Sequence, residues 1–208
     1  MGQRKPHGTS FEAEASHKGS PSGFSLLMHL GTLYALFGAT YVVYATFMVT
    51  ALVKERDYPE AAAGIFWAVV GAFSIFSGPL FGWVSDRWGR KIGMVAVFMT
   101  FTCSYAMVAA KLPEPFLYGS VMLFGLSVWS IPSIMAAAVG DYMGPAKAAK
   151  AFGLITVFFS AGQVSGPVAA GFLTDAMGTF DVAFWMCAVL TACAAGLALF
   201  LKPLQKTS

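Results

Sequence analysis

The densest chemistry in this sequence lies in Gly82-Trp83-Val84-Ser85-Asp86-Arg87-Trp88-Gly89-Arg90-Lys91, where four charges fall within six residues between two long apolar runs. One acid among three bases can form ion pairs. It offers no nucleophile–base pair, no metal-ligand spacing and no glycine loop that would cradle a phosphate, and no such set stands in a suitable setting elsewhere. The chemistry to expect is electrostatic, with no catalytic group, no metal and no cofactor. Asp86 closes a predicted helix, where the dipole is negative and an acid is ill placed. It should therefore pair with Arg87, Arg90 or the N-terminus of another helix. Gly89 suits a left-handed turn. Charge alone also fits a basic turn that does no more than fix membrane topology.

The remaining polar chemistry is uncharged and sits inside apolar runs. Tyr34, Tyr41 and Tyr44 share one run; Ser127, Trp129, Ser130 and Ser133 surround Pro132 in another. Gln163 is the one amide within the runs. An amide in lipid seeks a partner or water, which makes Gln163 a candidate cavity residue or an interhelical bond. Rings with hydroxyls suit a neutral or amphipathic organic solute, while for any one of these residues core packing is the favoured role. No Asp, Glu, Lys or Arg lies inside any run, so an ion-coupling group would have to lie elsewhere. Cys103, Cys187 and Cys193 also fall in apolar runs and read as buried thiols.

The elements that must position these groups follow from composition. The 208 residues are 57% hydrophobic and 11% charged, against about 25% charged in soluble domains. A spanning helix needs about 20 apolar residues. Six such runs occur, at about 24–53, 61–85, 92–110, 116–140, 151–174 and 182–201. The fold class is an all-α membrane protein of six transmembrane helices in the lipid bilayer. Residues 1–23 read as a polar tail rather than a secretory signal, and 202–208 as a short C-terminal tail. Ten of the 13 Lys and Arg fall on the side of the tails, of residues 82–91 and of Lys147 and Lys150. Basic residues set orientation, so both termini are expected in the cytoplasm and the protein in the cell (inner or plasma) membrane. The net charge of +3 is a topology signal, not one for nucleic acid.

The chain also contains a repeat. Ser77-Gly78-Pro79 followed by Gly82 to Gly89 matches Ser165-Gly166-Pro167 followed by Gly171 to Gly178, with one inserted residue. Three helices separate the copies, so they would run oppositely, as an inverted three-plus-three repeat; chance likeness between glycine-rich helix ends is the alternative. Pro79, Pro132 and Pro167 each remove a helix bond and predict bends in the second, fourth and fifth spans, with Gly166 beside the last. Gly64, Gly71 and Gly78, with Gly82, form a small-residue stripe that would let helices approach closely.

Gly82, Asp86, Arg87, Gly89, Arg90 and Lys91 fill every core position of a signature loop, and the segment resembles that of the major facilitator superfamily. The resemblance implies one six-helix half of that fold, with the loop in a cytoplasmic gate. It also implies a central cavity lined by the first and fourth helices, hence Tyr34, Tyr41, Tyr44, Trp129 and Ser130. Gly153, Gly162, Gly166-Pro167 and Ala170-Gly171 resemble the glycine–proline motif of fifth helices in antiporters of the family, and of the matching eleventh. First halves carry an arginine in helix 4 and often an acid in helix 1; neither is present, so the chain looks more like a second half. The implied function is transport of a small organic solute by alternating access, with a second half from a separate chain or a second copy. The alternative is a non-transporting scaffold or assembly subunit of a larger membrane complex, or a truncated product.

Overall fold

The computed structural model describes residues 23–201. The tails expected at 1–23 and 202–208 lie outside the described residues, apart from Gly23, the first residue of the first helix. The described chain is all α, without a strand, in the order α1 Gly23–Arg56, α2 Glu60–Trp88, α3 Arg90–Ala109, α4 Glu114–Ser127, α5 Ser130–Met143, α6 Pro145–Met177 and α7 Asp181–Ala198. Six stretches are long and apolar enough to cross a membrane, α4 and α5 together making the fourth.

Local chemistry sets the helix ends. Pro59 and Pro113 precede α2 and α4, and Pro145 opens α6, where a missing N–H forfeits no helix bond. Gly89 (φ +97°, ψ 155°) and Gly144 (φ +76°, ψ 158°) end α2 and α5. That region of backbone space is open almost to glycine alone. Gly89 thus takes an extended positive-φ form rather than the left-handed one expected; its repeat counterpart, Gly178, does adopt the left-handed form (φ +72°, ψ 13°).

The fourth span departs from a simple proline bend. It breaks at Val128–Trp129, and Pro132 sits in the first turn of α5. Pro132 cannot donate to the carbonyl of Val128, so the chain turns there instead. The backbone N–H of Trp129 is taken up by Ser77 Oγ at 3.0 Å, and Ser130 Oγ donates to the carbonyl of Ser77 at 2.9 Å. By contrast α2 and α6 run unbroken through Pro79 and Pro167.

Packing follows the repeat. α1 lies on α6 as α2 lies on the α4–α5 span, α3 lies on α7, and α1 meets α7 as α3 meets α4. Exchanging the two three-helix units maps α3 on α7 onto itself and the other contacts onto one another. The tightest seam is α1 on α6: a Cβ at Gly162 would collide with the carbonyl of Ala35, and one at Gly166 with that of Ala39. The α2 stripe does something else. A Cβ at Gly64, Gly71 or Gly82 would meet nothing within 4 Å, so these glycines make no close approach inside the described bundle. α2 and α6 are also the least covered spans, with 22% of their apolar stretch buried against 44–56% in the other four.

Candidate functional site

Three charges at one end of the bundle are each badly placed for their own helix. Asp86 and Asp141 stand at the C-terminal ends of α2 and α5, and Arg90 opens α3. Helix dipoles disfavour acids at C-termini and bases at N-termini. The three resolve this against one another. Arg90 Nη1 pairs with Asp86 Oδ1, while Nε donates to Asp141 Oδ2 at 2.6 Å. Nη1 also donates to Ser85 Oγ at 3.0 Å. Ser85 is buried because Gly93 lets α3 close onto it; a Cβ there would lie 2.6 Å from that of Ser85. Arg90 is well covered, 17% exposed at its side chain, whereas Asp86 stays 68% exposed and keeps acceptor capacity facing outward.

Arg87 and Lys91 form no ion pair among the described residues. Trp83 and Trp88 meet edge to face at 5.3 Å beside them, both more than half exposed. The sequence pointed to Asp86 and Arg90; Asp141, Ser85 and Gly93 were missed. Asp141 carried the same signal as Asp86, an acid at a helix C-terminus.

The uncharged candidates divide. Tyr34 and Tyr44 are core residues, Tyr34 stacked on Phe159 at 4.6 Å and Tyr44 on Phe124 at 4.0 Å. The hydroxyl of Tyr44 is shared with Ser120 Oγ at 3.0 Å. Ser130 is fully buried and bonds to Ser77 at the break in the fourth span. Trp129 is 54% exposed at that break. Tyr41 and Gln163 are half-buried, and the side-chain amide of Gln163 has no hydrogen-bond partner among the described residues. Gln163 lies against Gly38, one turn from Tyr41. Tyr41, Trp129 and Gln163 are therefore the members of the set with exposed surface, while Gly166 packs against Ala39 and Pro79 and Pro167 lie within unbroken helices.

The family model for the Major Facilitator Superfamily matches residues 6–208. Among curated proteins, monocarboxylate transporter 10 of Mus musculus is 31% identical over 162 residues, covering 76% of this chain and 31% of that protein. Monocarboxylate transporter 10 of Danio rerio is 26% identical over 168 residues, 77% of this chain and 33% of that one. The class C tetracycline resistance protein of Escherichia coli is 28% identical over 129 residues, 61% of this chain and 32% of that one. The chain spans about a third of the length of these relatives.

Proposed function

Since the chain belongs to the major facilitator superfamily, we propose that it is a transport half-unit that moves a small organic solute by alternating access. A second six-helix half, a separate chain or a second copy, completes the pathway. The observation that carries this reading is the corner at Arg90. Its arginine is held by two acids inside the bundle, yet Asp86 remains largely exposed at the end of α2, one of the two least covered spans. An exposed carboxylate there can accept the free N–H groups of a helix start in the opposing half. Pairing made and broken at that point would gate one side of the membrane. The basic end faces the cytoplasm in this reading, since most Lys and Arg fall on that side.

The solute is an uncharged or amphipathic organic molecule, in keeping with Tyr41, Trp129 and Gln163 and with the lack of Asp, Glu, Lys or Arg along the apolar runs. The names of the relatives, which speak of tetracycline and monocarboxylates, agree with organic solutes as a class. The test is to purify the chain with its companions in mild detergent, reconstitute them and measure organic solute uptake. Asp86→Asn should cut flux about tenfold, as loss of a charged contact does, while assembly persists. Unchanged flux would remove Asp86 from the gate. A larger unrelated complex that binds no solute would select the scaffold reading instead.

A further inference from the structure

At the end of the bundle opposite Arg90 stands a second charged cluster. Glu55, next to last in α1, accepts the backbone N–H of Phe180 at 2.5 Å and the hydroxyl of Thr179 at 3.2 Å, at the start of α7. Lys111, just beyond α3, lies 2.5 Å from Asp181 Oδ2 and 3.9 Å from Glu55 Oε2. Arg56 donates to the carbonyl of Val108 at 2.7 Å, at the end of α3. Both carboxylates are better covered than those of the Arg90 corner, with Glu55 18% and Asp181 19% exposed. Here a carboxylate sits on a helix N-terminus and a guanidinium on a C-terminus, each where the dipole favours it.

We propose that Glu55, Lys111 and Asp181 are positioning residues of a second clamp, the repeat-related counterpart of the Arg90 corner, which holds α1, α3 and α7 shut at their own end independently of that corner. The repeat supplies the first argument. Exchanging the three-helix units carries the end of α5 to the end of α1, and the start of α3 to the start of α7. Asp141 at the end of α5 grips the start of α3 through Arg90; Glu55 at the end of α1 grips the start of α7 through Phe180. The contact is the same with the units reversed. The second argument is the substitution of the base. Aligning Gly89 with Gly178 sets Arg90 opposite Thr179, which carries no charge. The missing cation arrives from another turn as Lys111, a non-glycine residue held at φ +49°. A backbone conformation of that kind persists where its surroundings over-determine it. Its hydrogen bond to Asp181 raises the Lys111 ammonium above its ordinary range, which favours its charged form. The two clamps share only α3: one gathers α2, α3 and α5, the other α1, α3 and α7.

This inference does not rest on solute carriage, and neither does its test. Cys103, Cys187 and Cys193 are replaced by alanine in the full chain. A reporter cysteine is then placed at Leu52, buried one turn before Glu55, or at Met94, buried one turn after Arg90. Labelling by a polar maleimide is timed in detergent. Lys111→Asp should speed labelling at position 52 about fivefold, as a locally weakened end opens more often, and leave position 94 unchanged. Arg90→Gln should do the reverse. The exchange Lys111→Asp with Asp181→Lys should restore the parent rate at 52. No change at 52, an equal rise at both positions, or no recovery on exchange would overturn the clamp. Should Lys111→Asp fail to accumulate, Lys111→Gln decides on the same pattern.

Discussion

Arg90 is the residue whose removal should matter most at the charged corner, and the reason is the company it keeps. It neutralises two carboxylates that each oppose a helix dipole. Arg90→Gln leaves both acids at C-terminal helix ends without the ion pairs that Arg90 makes with them. Asp86→Asn removes an ill-placed, mostly exposed charge and leaves the Arg90–Asp141 pair whole. Thermal unfolding in detergent should therefore rank the two: Arg90→Gln lowers Tm by a few degrees, about 1–2 kcal/mol, and Asp86→Asn by little. The reverse order would mean that Asp86, not Arg90, organises the corner. Half of this corner was legible in the sequence. Asp86 and Arg90 are four apart across a glycine turn, so local spacing brings them together. Asp141 lies far along the chain, and only the packing of α5 beside α3 delivers it. Gly89 shows the same local limit: residue type predicts positive φ there, but not which positive-φ region the chain enters.

At the scale of helices, glycine has two opposite uses that a sequence cannot separate. The stripes on α2 and on α6 look alike as strings, yet Gly162 and Gly166 are pressed onto α1 while Gly64, Gly71 and Gly82 face open space. Which stripe touches its own bundle depends on how each helix is rotated, and apolar residues cover these helices all round, so no polar face reveals the rotation. A paired substitution on α6 makes the difference measurable. Gly166→Ala forces a Cβ into the carbonyl of Ala39, a backbone atom that cannot swing aside, and should cost about 1–3 kcal/mol. Gly171→Ala, five residues on, meets nothing within 4 Å and gains helix propensity, so Tm should hold or rise slightly. Equal losses at both would show that α6 packs otherwise than described. The break at Val128–Trp129 belongs to this scale too. Pro132 announced an irregularity, but the hydroxyl that stabilises it, Ser77, comes from a different helix.

For the molecule as a whole, the least covered spans are α2 and α6, and the half-unit reading seats its second half there. Lipid tails are as apolar as Leu, so exposed Ile75, Phe76, Val164 and Phe172 alone do not call for a protein partner. Smooth glycine surface does more, because close backbone approach is what drives helix association where the hydrophobic effect is absent. Gly71 and Gly82 offer that surface on α2, Gly82 one turn before the exposed carboxylate of Asp86. In the half-unit reading these glycines face the partner's helix, and Tyr34, Tyr44 and Ser130 belong to the chain's own core. Gly71→Leu then gives a clean separation of the two. The side chain enters open space within this bundle, so the Tm of the isolated chain should be unchanged and its helicity retained. Association should fall about tenfold, as a bulky group bars the close approach. Native mass spectrometry in mild detergent reads the fraction assembled, and circular dichroism of the isolated chain on heating reads its helicity and Tm. If Gly71→Leu assembled as the parent does, α2 would face lipid, and the opposing half would have to be sought on α6 alone.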